Sequence, residues 1–88
     1  MIVKIDKSFE KDTREITDKR IRTKIADIIE LCKQSESLNQ IRNIKKLVTF
    51  DNYYRIKIGR YRLGIYYKNN TIYFIRCLSR KDIYRYFP

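Results

Sequence analysis

Eighty-eight residues with a formal net charge of +11, no His and 43% hydrophobic content describe one small basic domain spanning residues 1–88. That apolar fraction excludes a disordered basic tail, and no apolar run approaches the ~20 residues that cross a bilayer. So large a positive charge calls for an anionic partner; a membrane surface is disfavoured, because the basic residues interleave with strand formers and do not line one helical face.

The opening Met-Ile-Val-Lys-Ile-Asp turns charged too early for a secretory signal, and Cys32 and Cys77 show neither metal-ligand nor disulfide-framework spacing. The expectation is a cytoplasmic protein with two buried, reduced thiols. Ile2–Ile5 reads as a short strand. Ser8 is placed as the N-cap of a helix from Phe9 to about Glu15, and Thr17 or Asp18 as the cap of a longer helix to about Lys33. In that helix Ile21, Ile25, Ile28 and Cys32 recur at steps of four, three and four, one face of a helix, while Lys19, Arg22, Lys24, Asp27 and Glu30 take the solvent side. Residues 34–39 are loop-like. Residues 41–50 form a connector with a turn of helix and a strand around Lys46–Val48.

The rest alternates. A strand at Tyr54–Ile58 turns at Gly59-Arg60 into a second at Tyr61–Tyr67; Lys68-Asn69-Asn70 turns again into a third at Thr71–Leu78, and a short C-terminal helix or tail follows. The predicted class is α+β: β-α-α-β-β-β, with an antiparallel sheet backed on one face by two N-terminal helices.

Charge divides this chain near residue 41. All eight tyrosines and twelve of the twenty-one Lys and Arg residues follow that point, against Asp51 and Asp82 alone on the acidic side. Lysine and arginine meet phosphates, and flat aromatic rings stack on unpaired bases, so this half reads as a surface for a polyanion. Strand parity gathers Arg55, Lys57 and Arg62 on one face, with Arg76 and Arg80 expected to join them and Tyr84 nearby. Arg60, Lys81 and Tyr86 are further candidate RNA contacts. Antiparallel sheets often keep one side wet and charged, so any one of these cations is ordinary. Five converging on a patch repel one another unless an anion sits between them.

Three stretches carry a resemblance: Tyr54-Arg55-Ile56-Lys57-Ile58, Gly59-Arg60-Tyr61-Arg62-Leu63-Gly64-Ile65, and Ser79-Arg80-Lys81-Asp82-Ile83-Tyr84-Arg85. With the N-terminal helical pattern around Phe9-Glu10-Lys11-Asp12, the chain resembles the RelE/ParE superfamily of toxins from bacterial and archaeal toxin–antitoxin pairs. The resemblance implies a microbial-RNase-like fold, often with a last helix, and a cognate antitoxin whose acidic and apolar segment wraps the toxin. For the RelE branch it implies cleavage of mRNA in the ribosomal A site, by attack of a 2′-hydroxyl on the adjacent phosphate.

Carried over residue by residue, the resemblance makes Arg62 and Arg80 the phosphate-stabilising arginines and Tyr84 the C-terminal tyrosine, a place Tyr86 or Phe87 could also fill. Arg55 and Lys57 stand as the paired basic positions. Many relatives have His where this chain has Ser79. Without an imidazole, a general base falls to Lys57 or Tyr84, because arginine stays protonated. No metal or small-molecule cofactor is expected. Two other readings stand beside this one: a ParE-like toxin that poisons DNA gyrase, and an inactive RNA- or ribosome-binding homologue. ParE members generally lack the full set of Arg55, Lys57, Arg62, Arg80 and Tyr84.

Overall fold

A computed structural model describes residues 1–88. In chain order it comprises β1 (Ile2–Ile5), α1 (Lys7–Arg14), α2 (Lys19–Gln34), a 3-10 turn at Leu38–Gln40, β2 (Ile44–Lys46), β3 (Tyr53–Ile58), β4 (Tyr61–Lys68), β5 (Thr71–Ser79) and α3 (Arg80–Tyr86). One sheet runs in the order β1-β5-β4-β3-β2. The α+β class and the three-stranded meander stand, but the sheet is mixed rather than wholly antiparallel, because β1 lies parallel to β5. A four-residue strand carries no local signal of its partner's direction. The connector adds a fifth strand at Ile44–Lys46, set by the pairs Ile44–Ile56 and Lys46–Tyr54 rather than by the apolar Leu47-Val48 that suggested a later start.

Both hairpin turns form where expected. Gly59, Asn69 and Asn70 adopt φ of 56°, 52° and 57°, the left-handed region that Gly and Asn tolerate best. Asp18 caps α2 by accepting the Arg20 N–H at 2.9 Å. Ser8 does not cap α1, which starts one residue before it.

One face of the sheet carries Ile56, Ile58, Leu63, Ile65, Ile72, Phe74 and Cys77, packed with Phe9 of α1 and Ile25 and Cys32 of α2. The Phe9 and Phe74 rings sit 5.3 Å apart, tilted. Tyr54, Tyr61 and Tyr67 also pack against this core. Three of the eight tyrosines are therefore structural and do not face the basic surface.

Where β1 ends, α1 takes over the open edge of β5. The Asp6 N–H donates to the Phe74 carbonyl. Ile75 is a bulge, left between the pairs Ile65–Phe74 and Gly64–Arg76, and the Ser8 hydroxyl donates to its carbonyl at 2.6 Å. Asp12 accepts the Cys77 N–H at 2.9 Å and holds the Arg76 guanidinium at 2.8 and 3.2 Å. An otherwise unpaired strand edge is thus closed by side chains of one short helix.

The opposite face carries Tyr53, Tyr66 and Tyr73 in a row across β3, β4 and β5, with centroids 4.9 and 5.8 Å apart. α3 packs on this face over β4 and β5, burying Ile83 and Phe87. The Phe87 ring lies over Gly64, where a Cβ would stand 2.7 Å from ring carbons. Gly64 is needed there for space.

Three outcomes are expected. Gly64→Ala forces the Phe87 ring off the sheet and destabilises the protein by about 1–3 kcal/mol, seen in urea unfolding together with faster amide exchange in α3. Asp12→Ala strands the Cys77 N–H and releases Arg76, at a loss of about 1–3 kcal/mol, with Asp12→Asn losing less because its carbonyl still accepts. Burial pushes Cys32 up to about 11 and Cys77 up to about 12, from an ordinary 9.0. Both thiols should resist a disulfide reagent at pH 8 until urea is added. Above pH 9 the unfolded thiols ionise while the folded ones stay neutral, so their share of stability falls steadily through pH 11–12.

Candidate functional site

On the α3 face, between α3 and the β2 edge, lies an open cavity of about 290 Å³ lined by Asn43, Ile44, Lys45, Arg55, Lys57, Arg62 and Tyr84. The ladder explains the grouping. Arg55 and Lys57 are two apart on β3 and share a face; Lys45 of β2 stands opposite Arg55, and Arg62 of β4 opposite Lys57. Two like-charged pairs therefore face each other directly across strands, an arrangement that destabilises a sheet.

No carboxylate lines this cavity. The chain's three ion pairs, Glu30–Lys33, Lys46–Asp51 and Asp12–Arg76, all lie elsewhere. Four unpaired cations in one hollow give a strongly positive potential that an anion would relieve.

The side chains differ in how firmly they are held. Arg62 is buried, and its Nη1 donates to the Gly59 and Tyr61 carbonyls, each at 2.9 Å. Arginine has five N–H donors, so three remain for a ligand. The Arg55 guanidinium carbon sits 4.6 Å from the centroid of the Tyr84 ring, a cation–π contact that ties α3 to β3. Lys57 is exposed, and neither its ammonium nor the Tyr84 hydroxyl has a hydrogen-bond partner within the chain. Charge stabilisation is built in and rigid, whereas both groups capable of moving a proton are free.

Of the predicted residues, Arg55, Lys57, Arg62 and Tyr84 come together in the cavity. Arg80 begins α3, exposed and outside the cavity lining, one helical turn before Tyr84 and on the same side of the helix. Arg60 is exposed in the β3–β4 turn, where its carbonyl accepts the Arg80 N–H at 2.9 Å. Lys81 is exposed on α3.

Arg76 does not join the cluster. Asp12 claims its guanidinium, and that hydrogen bond holds it more firmly charged than an ordinary arginine. In the ladder Arg76 stands across Gly64 from Arg55, on the same sheet face, but the Phe87 ring covers Gly64 between them and Asp12 draws the guanidinium to the α1 edge. Tyr86 lies on the far side of Phe87, in a second hollow with Arg76 and the Tyr53–Tyr66–Tyr73 row. Sequence reasoning missed Lys45 and Asn43. The signal available was a Lys-Lys pair whose alternation continues that of Arg55 and Lys57, once Ile44–Lys46 is recognised as a strand.

Residues 3–84 match the family model described as the ParE toxin of the type II toxin–antitoxin system parDE. The chain is 47% identical to Toxin RelE3 of Methanocaldococcus jannaschii over 89 residues, covering all of both proteins. It superposes on the RelB–RelE antitoxin–toxin complex from Methanococcus jannaschii with a TM-score of 0.84 at 46% identity, covering 97% of this chain and 99% of that one. The RelBE2 toxin–antitoxin complex of Mycobacterium tuberculosis shares the fold at 18% identity, with a TM-score of 0.66 over 90% of this chain and 96% of that one. The chain belongs to the ParE toxin family, within the RelE/ParE superfamily of type II toxin–antitoxin toxins.

Proposed function

We propose that this toxin is a ribosome-dependent mRNA endoribonuclease acting in the cytoplasm, and that the cavity of Lys45, Arg55, Lys57 and Arg62 holds the scissile phosphate. The observation that carries the reading is four cations without a carboxylate, bordered by an exposed tyrosine. Phosphodiester cleavage by the neighbouring 2′-hydroxyl passes through a pentacoordinate phosphorane with added negative charge. Its products are a 2′,3′-cyclic phosphate and a 5′-hydroxyl.

Arg62, fixed by two backbone carbonyls, supplies preorganised donors to that charge. Arg55 holds the phosphate beside Tyr84, and Arg80 adds positive charge from the start of α3. Lys57 takes the 2′-hydroxyl proton or orients the group that does, and Tyr84 stacks on a base or handles the leaving-group proton. Arg60 and Lys81 contact flanking phosphates at the rim. The partner that silences the toxin is a cognate antitoxin, in keeping with the toxin–antitoxin complexes to which this fold is similar. Two features favour RNA cleavage over gyrase poisoning: the cation cavity with its tyrosine, and near-half identity over the full chain to a protein named RelE.

The test is mapping of mRNA 5′ ends after incubation with programmed ribosomes. Arg62→Ala should lower cleavage about 10²–10³-fold, and Arg62→Lys should recover part of it, because charge returns without the planar fork. Both variants must melt cooperatively and bind antitoxin, since Arg62 also braces the β3–β4 turn. Intact mRNA alongside lost DNA supercoiling would replace this reading with gyrase poisoning. A pH–rate profile for Lys57→Met that keeps the wild-type inflection would remove Lys57 from the proton-transfer role.

A further inference from the structure

Beside the cation cavity, on the β2–β3 side, lies a further hollow of about 370 Å³, and the two share Lys45, Arg55 and Tyr84. Its remaining wall is the β2–β3 loop, with Leu47, Val48 and Phe50, and the Phe87 ring. Val48 is fully exposed and Phe50 half-exposed, an unusual display of apolar surface on a short loop of a basic protein. That loop is braced rather than loose. The Leu47 N–H donates to the Tyr53 carbonyl and the Tyr67 N–H to the Asn52 carbonyl, each at 2.9 Å, and Lys46 pairs with Asp51 across the loop. Phe50 is propped edge-to-face against Tyr53, 6.3 Å away, and is not packed into the core.

We propose that this hollow is a base-stacking subsite, in which Phe50, with Tyr84 and Phe87, receives the unpaired base of the nucleotide whose phosphate lies among Lys45, Arg55, Lys57 and Arg62. The inference rests on the RNA reading above and adds where the base goes and which residue it stacks on. The argument is one of adjacency. A ligand that fills both hollows carries a compact anion and a flat apolar group within one unit of length, joined past Arg55 and Tyr84. A single-stranded nucleotide has that shape and polarity. Phe50 cannot hydrogen-bond, so it stacks on any base, and it makes the subsite a positioning element rather than a sequence reader. Phe87 is braced by Gly64 and Phe50 by Tyr53, so the two rings stand ready without ordering on binding.

The test measures fluorescence anisotropy with a short 2′-O-methyl oligoribonucleotide, whose nucleophile is blocked, and with an all-abasic sugar–phosphate strand of the same length, each over a salt series. Wild type should prefer the base-bearing strand. Phe50→Ala should reduce that preference about fivefold or more, leaving abasic binding and the salt slope unchanged, and Phe50→Trp should restore it. Equal weakening of both strands, or no effect of Phe50→Ala on either, overturns the subsite while leaving the phosphate cavity intact. A Phe50→Ala variant that keeps RNA binding but loses affinity for the antitoxin overturns it too, and assigns the loop to the protein partner. Wild type binding neither strand with a salt-dependent affinity refutes the RNA reading, and the subsite with it.

Discussion

The Phe87 ring lies against Gly64, and the architecture of the basic face depends on that contact. With any side chain at position 64 the ring could not reach the sheet, since a Cβ would already stand 2.7 Å from it. Because it does reach, α3 lies against β4 and β5, Ile83 is buried, and Tyr84 is set over the Arg55 guanidinium. Gly64 is the cross-strand neighbour of Arg55, so the glycine and the cation it serves sit side by side. One missing methyl thus converts an open charged sheet face into a hollow with an aromatic wall, and separates it from the tyrosine row beyond.

The same sheet shows how charge was kept apart by function. At the sheet edge a cation that supports the fold has a carboxylate: Arg76 and Asp12 lock the bulged edge of β5 to α1, and the Asp12 carboxylate also takes a backbone N–H. Where cations gather in the cavity they have none. Lys45 against Arg55 and Lys57 against Arg62 are repulsive cross-strand pairs, and packing of Ile56, Leu63 and Ile65 on the reverse face holds them in register. A one-residue slip would bury the charges, so the core fixes the cavity as firmly as it fixes the strands. The electrostatic cost of the cluster is then carried by hydrophobic burial on the other side of the same strands.

Much of this arrangement was readable from the chain. Alternation in Tyr54–Ile58 and Tyr61–Tyr67, with Gly59-Arg60 and Asn69-Asn70 between runs, fixes both hairpins and the facing of Arg55, Lys57 and Arg62, because a period of two admits only two choices and the apolar set decides. The α2 stripe of Ile21, Ile25, Ile28 and Cys32 was equally plain. What failed depended on partners distant in sequence. Arg76 shares the face of Arg55 but is held by Asp12, 64 residues away in the chain, with the Phe87 ring on Gly64 between the two cations. β2 is three residues long and exists because β3 pairs with it, so Lys45 could not be placed before the pairing was known. Tyrosine count misled for a related reason: a tyrosine in a strand serves core or surface according to parity, and Tyr54, Tyr61 and Tyr67 fall on the core side.

The contrast between held and unheld groups bears on how such a site could work. Arg62 is clamped by two carbonyls, and Arg55 is stacked under Tyr84, so the positive field is fixed before any ligand arrives. Lys57 and the Tyr84 hydroxyl have no partner to aim them, and the chain has no histidine. On the proposed reading, the protein alone would stabilise transition-state charge, while alignment of the 2′-hydroxyl with the phosphate and with a proton acceptor would come from elsewhere. Misaligned reactants forfeit several powers of ten in rate, about the advantage that separates a poised catalyst from a passive one. On that reading, a toxin built this way would bind RNA and cleave it slowly unless something else bent the backbone into line. That is the requirement a ribosome holding mRNA in its decoding site would satisfy, and it explains why a cavity so open need not contain a built-in base.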